Sequence, residues 1–206
     1  MQCRHVAILL FNDIEVLDFA GPFEVFNVTC ELNTPSPFNV FTVAESEQPI
    51  KARGGLTVTP DYSITNMPKA DILIIPGGYG TRAQLESKRL IGWLQTQISQ
   101  VEFLCSVCTG SMVLAKAGLL SNCHVTTHHD NLADLRKLVS QDTTVVANKR
   151  YLDNGKILTA GGISAGIDMS LYLVNKLYGA EVLKKTLAEM EYHWTPEVDL
   201  HWKDTC

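Results

Sequence analysis

The sequence predicts an α/β fold, a doubly wound and mainly parallel sheet with helices on both faces, and three observations predict it. Short apolar runs alternate along the chain with longer segments of helical period, the order in which parallel strands and their crossover helices are laid down. Runs such as Asp71-Ile72-Leu73-Ile74-Ile75 carry no polar alternation, so the strands they form are covered on both faces. Glycine-marked joints follow several of these runs and open into helical segments, as turns at the carboxyl end of such a sheet do.

Taken in order, residues 5–11 form the first strand and a helix follows Pro22. Pro35 and Pro37 mark a loop rather than a linker, because a strand signal resumes over residues 38–44. Residues 50–60 read as a β-hairpin turning at Gly54-Gly55. A strand ending in glycines (70–78), a helical stretch (82–99), another strand (101–107) and another helix (109–120) come next. A second hairpin spans 148–160, with Asn154-Gly155 supplying positive φ. The last third reads as a long apolar helix broken at Gly179, an amphipathic helix from Ala180 to about Tyr192, and an irregular tail after Trp194.

Composition bounds the function. A chain of 206 residues fits one domain, residues 1–206. It is 46% apolar and 19% charged, and no stretch approaches the roughly 18 apolar residues of a membrane span. Seventeen basic against 22 acidic side chains give a net charge of -5 with no Lys/Arg block, which excludes a phosphate-binding stripe and makes nucleic acid a poor partner. The N-terminal apolar run, Val6 to Phe11, is too short for a signal peptide, so the expected compartment is the cytoplasm. Six scattered cysteines suit reduced thiols there.

One of those thiols, Cys108, sits where the strand of residues 101–107 turns into a helix. A nucleophile at such an elbow projects above the sheet, beside the free N–H groups of the helix start. That position is expected to lower the thiol pKa towards or below neutrality and give a thiolate; the bland alternative is a small buried hydrophobe. Cys105 makes a C-x-x-C pair with it but lies inside the strand, with no second pair elsewhere, so redox exchange and a metal half-site are poor fits.

Two further segments reach the same end of the sheet. Gly77 and Gly78, after the strand at 71–75, offer N–H groups as oxyanion donors, or simply form a glycine turn. Asp18, among Leu17, Phe19 and Ala20, is a carboxyl partly removed from water and able to hold a proton near neutral pH; equally, it caps the helix after Pro22. His128 and His129 are adjacent, so they point in different directions and are expected to cap and hydrogen-bond beside the crevice rather than hold a metal. Gly162 lies in another glycine-rich turn, touching substrate or allowing close helix packing. Asp168 is expected to be structural.

"LDFAGPFEVF", "DILIIPGGYG", "SVCTGSMVLAKAGLL", "VTTHH" and "DNGKILTAGGISAGIDMSLYLV", in that order, resemble the ThiJ/PfpI superfamily over nearly the whole chain. The resemblance implies a flavodoxin-like core, shared with class I glutamine amidotransferases, and a homodimer acting on a small molecule; neither a cofactor nor a metal is expected. An acid in "LDFAGP" with Thr109 after the cysteine resembles the isonitrile hydratase branch, to which the chain is most similar, and the amidase-like domains attached to some AraC-type regulators. Protease-like members have His in place of Thr109, and deglycase and glyoxalase members usually have Glu in place of Asp18.

That branch implies hydration of an isonitrile to an N-substituted formamide. Cys108 would be the nucleophile, Asp18 the acid and base, and Thr109 would position substrate or water. N–H groups of Gly77 and Thr109 would stabilise negative charge, with Gly78, His128 and Gly162 lining the substrate. A deglycase or glyoxalase activity, or a ligand or redox sensor built on Cys108, is the alternative. Related regulators carry a DNA-binding segment beyond this domain, for which a chain ending at Cys206 is expected to have no room.

Overall fold

A computed structural model describes residues 2–196. In chain order the elements are β1 (Arg4–Leu9), α1 (Val16–Glu31), β2 (Phe38–Ala44), β3 (Ile50–Lys51), β4 (Thr57–Val58), β5 (Tyr62–Ser63), β6 (Ile72–Ile75), α2 (Thr81–Gln84) and α3 (Lys88–Gln97). There follow β7 (Phe103–Val107), α4 (Gly110–Lys116), β8 (His124–Val125), α5 (Leu132–Leu138), β9 (Thr144–Val145), β10 (Tyr151–Asp153), β11 (Ile157–Ala160), α6 (Ala165–Tyr178) and α7 (Ala180–Glu189).

The main sheet runs β10-β11-β7-β6-β1-β2-β5, parallel throughout except for β10. The chain leaves β1 towards β2 through α1, then returns to the other side of β1 and winds the opposite way from β6 to β7 through α3. Right-handed crossovers running in opposite directions put their helices on opposite faces. Accordingly α1, α6 and α7 pack on one another, while α2, α3 and α5 gather around α4. This is the doubly wound, flavodoxin-like α/β architecture, with its topological switch between β1 and β6.

The strands earn their place by burial. Ile72, Leu73, Ile74 and Ile75 are all fully buried, each contributing roughly 1.5–3 kcal/mol relative to exposure. Gly21 lets α1 and α6 touch, since a Cβ there would lie 2.8 Å from Ile167 Cγ1.

Several boundaries differ from expectation. The first helix starts at Val16 after an extended Glu15, so Pro22 lies within it and Asp18 stands in its first turn. Asp18 is therefore not the cap of a helix that begins after Pro22. The helical stretch after Gly80 breaks in two because extended Ser87 accepts the Leu90 N–H at 3.1 Å and restarts the helix as α3. Both hairpins form, β3 with β4 and β10 with β11, but in the second only Gly155 of the Asn-Gly pair has positive φ, 82°. Apart from Thr195 and Pro196, the tail expected to be irregular lies outside the described residues, as do His201 and Cys206. Among the described residues no helix is long and apolar enough to cross a membrane.

Candidate active site

The carboxyl ends of β1, β6, β7 and β11 converge, and each delivers a loop to one crevice. Cys108 stands at the β7–α4 joint with φ 55°, in the left-handed region that costs a non-glycine residue strain. What holds it there is local. Its N–H donates to Gly161 O at 2.9 Å, and its carbonyl accepts from Thr127 Oγ1 at 2.8 Å and Ser111 Oγ at 3.1 Å. Gly110 lets the elbow press on β6, because a Cβ there would meet Ile75 O at 2.0 Å.

Cys108 is 7% exposed and opens onto a cavity of about 240 Å³, lined also by Glu15, Arg53, Gly78, Tyr79, Arg82, Thr109, His128, Asp130, Asn131 and Ile163. The sulfur is thus recessed but not sealed. N–H groups of Thr109 and Ile163 and the Thr109 hydroxyl lie against it and favour its anion. They do not prevail: burial first, and the Asp18 charge second, push the thiol up to about 12. The thiolate expected from the elbow is therefore corrected to a neutral thiol, because the helix start is outweighed by removal from water.

Asp18 is fully buried. Its Oδ2 accepts the Gly77 N–H at 2.9 Å, while Oδ1 has no hydrogen-bond partner. Burial raises its pKa to about 7; the Gly77 N–H opposes this, the Glu15 charge adds to it, and the neighbouring Cys108 thiol lowers it slightly. Sulfur and carboxyl are thus within mutual reach, yet Oδ1 keeps its lone pairs for something else.

Gly77 is expected as an oxyanion donor, but its N–H is taken by the carboxylate, so it is a holder of Asp18 instead. Only glycine allows this, as a Cβ would lie 2.5 Å from Thr109 N and 2.9 Å from Asp18 Oδ2. The Gly78 N–H is likewise spent, donating to Thr109 Oγ1 at 3.0 Å, and the Thr81 hydroxyl, which donates to Gly78 O at 2.7 Å, lies 3.1 Å from that same oxygen. The Thr109 side chain therefore straps the β6–α2 loop to the elbow, leaving its backbone N–H for the sulfur.

His128 caps a short 3-10 turn: its Nδ1 accepts the Asp130 N–H at 3.3 Å. Gly162 serves that ring, since a Cβ there would lie 2.2 Å from His128 Cδ2. The two histidines do not diverge as adjacency suggests; the turn stacks their rings 4.2 Å apart. Ligand atoms of His128, His129 and Asp130 lie within 4.8 Å of one another, the one group among the described residues able to hold a metal ion. Asp168 is structural, held by Arg150 and Tyr192, and Cys105 is fully buried in β7.

Sequence reading missed most of the cavity wall. Arg53 reaches it from the first hairpin, bonds Glu15 at 2.6 Å and lies 4.8 Å over the Tyr79 ring. Nothing local marks it. Ile163, whose φ is 43°, offers its N–H only because of an unforeseen backbone turn. Arg82, two residues past the glycine loop, had a signal: a helix-opening segment at a strand's carboxyl end.

Over residues 4–176 the chain matches the DJ-1/PfpI family model. It is 32% identical over 203 residues to the isonitrile hydratase of Pseudomonas putida, covering 97% of this chain and 83% of that one. It is 28% identical to the HTH-type transcriptional regulator GbdR of Pseudomonas aeruginosa, covering 91% of this chain but only 50% of the regulator. A THiJ/PfpI family protein from Pseudomonas syringae superposes with a TM-score of 0.85 at 24% identity, covering 98% of this chain and 80% of the other. The motifs that build the crevice and the match along the chain agree, and the chain belongs to the DJ-1/PfpI family.

Proposed function

We propose that the protein is a cysteine-dependent hydratase that converts a small isonitrile, R–NC, to the N-substituted formamide, R–NH–CHO. One observation carries the reading: a carboxyl that titrates near neutrality, with one oxygen unpartnered, stands beside a cavity-facing sulfur. Similarity to the Pseudomonas putida isonitrile hydratase supports the substrate class. As proposed, the enzyme works on a small molecule without metal or cofactor, as a cytoplasmic homodimer.

The terminal carbon of an isonitrile accepts a nucleophile and a proton at the same atom. Neutral Asp18 gives its proton to that carbon, the Cys108 sulfur bonds to it, and the thiol proton passes to the carboxylate just formed. The N–H groups of Thr109 and Ile163 support the sulfur while it is between protons. The product is a thioimidate, Cys108 Sγ–CH=N–R. Asp18 then protonates the nitrogen and takes a proton from water as the water adds to carbon. Collapse breaks the carbon–sulfur bond, the hydroxyl proton passes to sulfur by way of Asp18, and formamide leaves. Both protein groups end as they began. The peroxide-sensing alternative needs a thiolate, which burial and Asp18 oppose.

Incubation with an alkyl isonitrile and detection of formamide by proton NMR tests the proposal. Wild type is expected to turn over, with kcat/KM falling as pH rises through about 7 and Asp18 loses the proton it must donate. Cys108→Ala and Asp18→Asn are expected to lose at least about a thousandfold while remaining folded. Turnover that survives either substitution overturns the mechanism.

A further inference from the structure

Bonds are made and broken in the proposed reaction at Cys108 and Asp18, and the remaining polar groups of the cavity are unevenly spent. Glu15 and Arg53 satisfy each other at 2.6 Å. Asp130 is turned to His129 Nε2, 3.3 Å away. Among the donors left over on the lining, the Arg82 guanidinium and the Asn131 amide make no hydrogen bond or ion pair with any described residue. The carboxylate whose field Arg82 shares, Asp134, is already held by Lys137 at 2.8 Å. His128, whose Nδ1 accepts the Asp130 N–H, lines the same cavity.

A ligand entering this cavity therefore meets surplus donors, one of them permanently charged and shaped for a two-oxygen acceptor. At about 240 Å³ the space is below the range that holds drug-sized ligands. We infer that Arg82, with Asn131, binds a carboxylate on the substrate, so that the preferred class is a small isonitrile bearing a carboxylate group. The inference rests on the hydratase reading of the same cavity and adds Arg82 and Asn131 as specificity residues.

Calorimetric titration with N-formylglycine, the product expected from isocyanoacetate, and with its uncharged carboxamide N-formylglycinamide tests the binding apart from the chemistry. Wild type is expected to bind the acid about tenfold or more tightly than the amide, and Arg82→Gln to erase the difference. In turnover, the ratio of kcat/KM for isocyanoacetate to that for its methyl ester is expected to drop about 10- to 100-fold in Arg82→Gln, mainly through KM. Equal binding of acid and amide, no detectable binding of the acid, or a preference that persists in Arg82→Gln overturns the inference. Arg82-dependent acid binding without turnover of any isonitrile keeps the anion site and sinks the hydratase.

Discussion

At the scale of single residues, Cys108 is decided by a contest of magnitudes. A helix start stabilises a nearby anion by about 0.3–1 kcal/mol at an exposed site, and α4 has only seven residues. Removing a thiolate from water costs several times that, and Cys108 is 7% exposed with Asp18 beside it. Burial wins, and the thiol stays neutral until a proton acceptor and an electrophile are both present. Iodoacetamide at pH 7.5 is therefore expected to label exposed Cys3 faster than Cys108, with Cys108 labelling rising as pH increases towards its pKa. Peptide mass spectrometry over a time course reads this; Cys108 outpacing Cys3 at pH 7.5 would refute the neutral thiol.

At the scale of elements, the elbow depends on how closely β6, β7 and α4 approach. A methyl at Gly110 would sit 2.0 Å from the Ile75 carbonyl oxygen, a backbone atom that cannot move aside. Gly110→Ala is expected to cost roughly 1–3 kcal/mol and to displace Cys108, so urea midpoint and turnover fall together. Gly92, inside α3 with nothing within 4 Å of a Cβ, is the contrast: Gly92→Ala is expected to stabilise by roughly 0.5–1 kcal/mol and spare activity. The strands, the elbow and the acidic segment were legible because apolar runs and glycine joints are local signals. The sign of the Cys108 shift was not, since it sums burial from loops far apart in sequence. Arg53 was hidden for the same reason: its bond to Glu15 joins positions 38 residues apart. Pro22 misled because proline usually opens a helix, and here it packs within one.

For the molecule as a whole, the site is a burden the fold carries at working pH. Asp18 is an ordinary carboxyl in the unfolded chain, near 3.9, and about 7 when folded, so the native state holds its proton more tightly. The stability linked to that proton is full below about pH 4 and is lost as pH rises through about 7. A shift of this size corresponds to roughly 4 kcal/mol, a large share of the 5–15 kcal/mol that separates folded from unfolded states. Asp18→Asn keeps an oxygen to accept the Gly77 N–H and has no proton to lose. Its unfolding free energy relative to wild type is accordingly expected to rise between pH 4 and pH 8, by as much as roughly 4 kcal/mol, even as turnover vanishes. Paired urea denaturations at the two pH values measure this. A difference that stays flat with pH would mean that Asp18 titrates alike in both states and lacks the near-neutral proton from which the proposed chemistry starts.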